Sequence, residues 1–512
     1  MRTLSVLLFA LSTLAACDTS SGGDDNDADA GGGNDTGNAD SGGSGPIGEL
    51  DLPVEQAPTA PPTPSSDGIH ISPSGNDDSG DGSQGSPYRS IQYVLDNIAQ
   101  SGDTLTLHDG DYNEAIRIRA SNITVQALPG AAPHIACPVS IDENDPILCV
   151  EIDAETTGVT LRGLEVSGGF YAIFLGSQWD YDDTPLDNLA ANHVTIEDCI
   201  LHDSGRDVVK IPAGCDDVTI RRCEIYNSGM GYPEGTPQDE KNAEGIDAVN
   251  ADRMYIGDTY IHDTATSCAY VKGGSIGTIM ERIRAERCGD LGLVLGFDTS
   301  PEFFDTSANP DYHENIGGVI RNCVVSDTGL AGIALYATRD AYVLHNTIRN
   351  AATRGQAALY LGVATQDYDP IAGRPANLRP TIVGNVVDQG DLTDLGCFGI
   401  RYTEETDLGQ LRGLEGEATI DHNYYWATNG CYFDDSRPES LLEGGDFSGW
   451  QSGQSGRDAT SQFSDPGIDA TGHTTAGSPL IDALAEPTAG ISYDIDGDMR
   501  TGAWDIGADE AP

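Results

Sequence analysis

The sequence predicts an all-β solenoid, a stack of similar coils, on three observations. The segments 196–205 (IEDCILHDSG), 220–229 (IRRCEIYNSG) and 320–329 (IRNCVVSDTG) can be laid over one another almost letter for letter. Weaker copies start at Ile256, Met280, Val343, Ile382 and Ile420. A unit of about two dozen residues therefore recurs, lengthened in places by a dozen or more. Within the units apolar residues alternate in short runs, as in Val208-Val209-Lys210-Ile211, with Gly, Asn, Asp and Ser between them. Period two with such punctuation means strands and tight turns, not helices. Each coil is expected to hold a ladder strand, the repeat itself, then an Asp-Ser-Gly or Asp-Thr-Gly turn and a second strand. One repeat position is equivalent in every coil: Cys199, Cys223, Thr259, Ile283, Cys323, Asn346, Asn385 and Asn423. The cysteines and Thr259 should face the core, and the three asparagines should form an internal hydrogen-bonded ladder.

Over residues 68–470 this pattern resembles the right-handed parallel β-helices of the pectate-lyase superfamily. The resemblance implies a β-helix body at 67–470 and a closing segment at 471–512, and it leaves the chemistry open, since lyases, hydrolases, epimerases and adhesins share the fold. The front of the body is similar too: Ile69-His70-Ile71, then 87–99 (PYRSIQYVLDNIA), then Gly102-Asp103-Thr104. Ile91, Val94, Leu95 and Ile98 are spaced as on an amphipathic helix. An N-terminal capping helix there would cover the open first coil and its unpaired strand edges.

Ahead of the body, Arg2 and an apolar run from Leu4 to Leu14 precede Ala15-Ala16-Cys17. Residues 1–17 read as a secretory signal, too short to span a bilayer. The cysteine after small residues resembles a bacterial lipoprotein signal, which implies lipid on Cys17 and an exported protein anchored at the cell envelope or surface. Residues 18–66 are Gly-, Asp- and Ser-rich, then Pro-rich, and are expected to form a disordered tether because they have too little apolar surface to offset chain entropy.

Lys and Arg number 26 against 82 Asp and Glu, a formal charge of −56. Nucleic acid is a poor partner for such a surface. Eleven cysteines leave an even number after Cys17, consistent with disulfides in an exported protein. Stacked coils about 4.8 Å apart make Cys199 and Cys223 the natural pair. Cys137 with Cys149, Cys268 with Cys288, and Cys397 with Cys431 are further candidates; Cys215 and Cys323 are left over. No CxxC pattern points to zinc, and no Gly-x-Ser-x-Gly, P-loop or Gly-x-Gly-x-x-Gly fingerprint is present.

In the second strands Val209 and Ile211, Ile246 and Ala248, and Ile333 and Leu335 should point inward, so the residues between them point out. Stacking the outward positions gives Phe174, Lys210, Asp247, Tyr270 with Lys272, Val294, Ala334 and Tyr360. Charge is confined to neighbouring central coils, as in a sugar groove with a reactive centre. Long insertions at 177–194, 230–244, 297–316 and 364–380 flank this face. Phe174, Trp179, Tyr270 and Tyr360 are candidate sugar platforms, and Arg374 is a candidate partner for a uronate carboxyl.

In β-helix polysaccharide lyases a Lys or Arg takes the proton beside the uronate carboxyl while calcium or another cation neutralises that carboxyl. The resemblance makes Lys210 the candidate base, Lys272 a charge stabiliser or alternate base, and Asp247 a calcium ligand or, in a hydrolase, a general acid. Asp180, Asp182 and Asp183 are further candidate calcium ligands. Asp494, Asp496 and Asp498 echo an EF-hand start but lack its Gly and Glu, so a structural role is expected there. The leading expectation is a monomeric lyase on uronate-containing polysaccharide. A glycoside hydrolase on the same groove and a non-catalytic glycan- or partner-binding protein are the alternatives.

Overall fold

The computed structural model describes residues 53, 55–63, 65–179, 189–369, 372–440, 442–453, 457–485, 488 and 490–511. The chain winds into a parallel β-helix of three long ladders, each of twelve strands. One coil runs Thr160–Arg162, then Glu165–Gly169, then Tyr171–Leu175, and these strands belong to the first, second and third sheets respectively. Later coils add a short fourth ladder from Ser275–Ile276 to Leu414–Glu415.

The coil therefore has three main strands where the sequence suggested two, because each repeat contains a corner. Ile196 and Leu201 are both fully buried, yet residues five apart on one strand face opposite sides. Asp198 between them adopts φ 57°, and Arg222, Asp258, Arg282, Asn322, His345 and His422 do the same in later coils. These left-handed residues turn the chain from the first sheet into the second. The corners also staple coil to coil: Arg222 Nε donates to Asp198 Oδ1 at 2.7 Å, and Arg282 Nε to Asp258 Oδ1 at 2.7 Å.

Inside, the first sheet stacks Ile196, Ile220, Ile256, Met280, Ile320, Val343, Ile382 and Ile420 in register. All are buried, each contributing about 1.5–3 kcal/mol. The asparagine ladder forms as expected. Asn346 Nδ2 donates to Asn385 Oδ1, and Asn385 Nδ2 to Asn423 Oδ1, both at 3.0 Å.

The helix Ile91–Asn97 buries Ile91 and Val94, and Glu114 accepts the free N–H groups of Ile91 and Gln92 at its start. At the other end the helix Phe447–Gly453 inserts Trp450 against Phe398 and Phe433. The segment 471–512 does not close that end as expected. Leu480, Leu484, Ile491, Trp504 and Ile506 lie instead on Val319, Leu344, Val383, Val386 and Tyr424. These apolar side chains point outward from the barrel, and the tail keeps them from water. Asp494 Oδ1 accepts the N–H groups of Asp496 and Asp498, a local turn that accounts for the acidic run.

The tether expectation is also corrected at its C-terminal end. Glu55 is buried: its Oε1 accepts from Arg282 at 2.8 Å and Asn322 at 3.0 Å, and its Oε2 from the N–H groups of Ser492 and Tyr493. Arg222 donates to Thr59 Oγ1, Gln126 to the Ser65 carbonyl and Thr106 to the Asp67 carbonyl. Residues 55–63 and 65–67 thus form a strap along the outside of the first sheet. Residues 18–52, and the signal with Cys17, lie outside the described residues.

Among the described residues three disulfides form: Cys137–Cys149, Cys268–Cys288 and Cys397–Cys431. Cys199 and Cys223, expected as a pair, are buried thiols. The two thiols are neighbours on consecutive coils and interact with each other without being joined. Each thiol also meets a carbonyl of its own coil, Cys199 at Glu197 O (3.2 Å) and Cys223 at Arg221 O (3.3 Å).

Candidate functional site

The outward column of the third sheet has the register read from the sequence. Phe174 pairs with Lys210, Lys210 with Asp247, Asp247 with Tyr270, Tyr270 with Val294, Val294 with Ala334, and Ala334 with Tyr360. Lys210 Nζ donates to Asp247 Oδ2 and lies 4.0 Å from Asp207 Oδ2. Asp207 and Glu244 sit three residues before Lys210 and Asp247, at the mouths of the same two strands. Carboxylate oxygens of Asp207, Glu244 and Asp247 lie within 4.8 Å of one another, and all three residues are buried. Asp207 Oδ1 accepts the Glu244 N–H at 3.1 Å, and Thr266 Oγ1 donates to Glu244 Oε1 at 2.8 Å. Asp247 Oδ1 has no partner in hydrogen-bonding geometry.

These charges divide into distinct states. Burial pushes the Glu244 carboxyl well up, reinforced by Asp207 and Asp247. Burial and Asp247 raise Asp207. Burial also pushes Asp247 up, but Lys210 and Lys272 more than offset this and leave it below the carboxylate range. For Lys210 burial favours the neutral amine, yet Asp247 and Asp207 hold it above the ordinary lysine range. In this state Lys210 is a counter-ion, not a base.

Lys272 Nζ lies 4.5 Å over the Tyr270 ring and 5.7 Å from the Phe297 ring, and it donates to the Asp298 carbonyl at 3.3 Å. Tyr270 and Phe297 stack with a 12° interplanar angle. Glu314, fully buried behind Lys272, accepts from the Gly273 N–H, the Thr299 hydroxyl and Gln366 Nε2, so it ties two of the insertions to this strand.

The structure brings Lys210, Asp247, Tyr270 and Lys272 together and gives other expected residues different surroundings. Trp179 is buried and donates to the Glu302 carbonyl at 2.8 Å, so it pins one insertion to another. Arg374 directs its donors to the carbonyls of Thr365, Ala372 and Asp369 within its own loop, leaving little for a substrate carboxyl. Tyr270 is too buried to be an open platform, whereas Phe174, stacked on Tyr171, and Tyr360 are half-buried. Asp180, Asp182 and Asp183 lie outside the described residues. Neither Asp207 nor Glu244 belongs to the outward column that the sequence predicts. Yet Asp-x-x-Lys at 207–210 aligns with Glu-x-x-Asp at 244–247, a signal the register exposes.

Further along the same sheet is a cleft of about 810 Å³ lined by Tyr336, Tyr360, Tyr432, Arg401 and Asp434 among others. Five strand spacings separate Lys210 from Tyr360, about 24 Å.

Comparison with known proteins agrees with this architecture. A family model described as "Right handed beta helix region" matches residues 188–365. The structure of XylC in complex with xylose is similar over 86% of this chain and 98% of its own, with TM-score 0.51 and 10% identity. The fold is a right-handed parallel β-helix. Weaker likenesses include pectate lyase Pel9A, with TM-score 0.41 and 15% identity over 88% of this chain and 98% of its own. An alginate lyase from Paenibacillus sp. str. FPU-7 has TM-score 0.39 and 17% identity over 67% of this chain and 95% of its own. No curated protein matches the chain.

Proposed function

We propose that this protein acts on a uronate-containing polysaccharide, cleaving it by β-elimination with Lys210 as the base. The observation that carries the reading is the Lys210 amine set between Asp207 and Asp247 in an outward column with Phe174 on one side and Tyr360 on the other. Asp207, Glu244 and Asp247 fit a calcium ion: they are hard oxygen donors, mutually close, and Asp247 Oδ1 is buried without a partner. Bound there, calcium would supply the positive charge that neutralises a uronate carboxyl.

Were Asp207 and Asp247 to hold a cation, Lys210 would lose the charges that raise its pKa, and its burial would favour the neutral amine. Neutral Lys210 takes the C5 proton, the C4–O bond breaks, the departing oxygen takes up a proton from water, and a C4–C5 double bond remains on the new end. Lys272, held over Tyr270 and Phe297, adds positive charge beside the developing carbanion. The same reading keeps the protein exported, monomeric and lipid-anchored through Cys17 at the bacterial envelope.

A second reading has its own support. Asp247 lies below and Glu244 above the carboxylate range, the separation that acid–base hydrolysis uses. Mass spectrometry of products from a panel of uronate polysaccharides separates the two. Unsaturated ends are expected; saturated ends would transfer the site to hydrolysis, and no product from any polymer would overturn both.

A further inference from the structure

On the second sheet, away from this site, we infer a binding site for a divalent first-row transition metal, built by His134, Glu165 and His202. These residues come from three successive coils: His134 pairs in register with Glu165, and His202 stands one coil further on, beside Ile200, which pairs with Glu165. His202 Nε2 is 3.2 Å and His134 Nε2 3.9 Å from the same oxygen, Glu165 Oε1. All three ligand atoms lie within 4.8 Å of one another. Tetrahedral bonds of about 2.0–2.1 Å give ligand–ligand edges of about 3.3 Å, so the triad needs only side-chain adjustment to close on an ion.

The outer shell is also present. His134 Nδ1 meets Asp111 at 3.1 Å and its Nε2 faces the shared point, where Ser167 Oγ also lies at 2.8 Å. His202 Nδ1 stands 3.0 Å from Asp203 but outside hydrogen-bonding geometry, so it is free to turn onto that carboxylate as Nε2 closes on an ion. This carboxylate–histidine arrangement fixes ring orientation in metal sites. The two rings lie nearly parallel, 18° apart, with centroids at 6.2 Å. Two imidazoles and one carboxylate select zinc-like ions over calcium or magnesium.

The solenoid contains its own control. Moving along the sheet, the roles of Glu165, His202 and Asp203 recur as Glu224, His262 and Asp263, with His262 Nε2 3.2 Å from Glu224 and Nδ1 2.6 Å from Asp263. The place of His134 is then taken by Ile200, which pairs with Glu224 as His134 pairs with Glu165. Arg287 also stands beside Asp263, where Asn227 stands beside Asp203. Glu224, His262 and Asp263 therefore lack a ligand and carry a nearby cation.

Equilibrium dialysis of the metal-stripped full chain against zinc, with excess calcium and magnesium, tests the assignment. One zinc is expected at this site. His134→Gln and His202→Gln should weaken it at least tenfold, Asp111→Asn about tenfold, and His262→Gln not at all. Ile200→His should create a second, weaker equivalent. Should a histidine variant not fold by circular dichroism, Glu165→Gln and the cobalt absorption spectrum of the unaltered chain carry the test. Absence of zinc binding, zinc held equally by all variants, or a cobalt spectrum without nitrogen ligands would overturn the site.

Discussion

Lys210 and Asp247 stand at the same position of consecutive coils, and the hydrogen-bonded ion pair between them lies within a cluster that holds two further carboxyl groups. Three acids thus share few cations: Lys210 acts on Asp207 and Asp247, Lys272 on Asp247, and Arg206 on Asp207. That imbalance sets both the stability and the chemistry of the site.

Replacing Lys210 by Met should destabilise the fold by about 2–4 kcal/mol at neutral pH, less than for a sealed pair because the lysine is partly exposed. The gap should narrow on acidification. Asp207 and Glu244 have raised folded-state values, so their protonated forms favour the fold below that range. Urea unfolding at two pH values checks this; a loss under about 1 kcal/mol at pH 7 would contradict it.

Glu314 gives a separate pH dependence. Burial pushes its carboxyl up to about 8, against an ordinary value of 4.5. Between these values the folded chain keeps a proton that the unfolded chain releases, so stability falls as pH rises, by roughly 3–5 kcal/mol across the window. Glu314→Gln should flatten that slope, and its amide can donate to Gln366 Oε1, which has no partner. Thermal unfolding of both chains from pH 5 to 9 reads the difference.

The thiols can be counted. Cys199, Cys215, Cys223 and Cys323 should resist alkylation in the native chain, since burial raises Cys215 and Cys223 and pushes Cys323 up to about 12. All four should react after unfolding without reductant. A Cys199–Cys223 linked peptide would refute this assignment.

Glu55 should hold the strap. Glu55→Ala leaves Arg282, Asn322 and two backbone N–H groups without their acceptor and should cost about 2–4 kcal/mol. Limited proteolysis should then cut within 53–67; unchanged stability and cutting would show the strap to be incidental.

The isoleucine columns and the asparagine ladder were legible because stacking repeats one letter per coil. The corners were not, since Asp198 and Arg222 take left-handed conformations that glycine would have advertised. The strap was illegible for a different reason: a Pro-rich segment has no core of its own, and its order comes from Arg282, Asn322 and the tail. At the site, counting along strands placed Lys210, Asp247 and Lys272. Trp179 and Arg374 misled because residue type tells what a side chain can bind, not what already binds it.

The most direct test of the central claim is the initial rate of ultraviolet absorbance from unsaturated uronate ends. It should be measured on acidic polysaccharides for the unaltered chain and Lys210→Ala, each with calcium and with chelator. The account predicts a calcium-dependent rate that Lys210→Ala abolishes while its fold persists. An equal rate from Lys210→Ala, or no absorbance alongside new reducing ends, would contradict it.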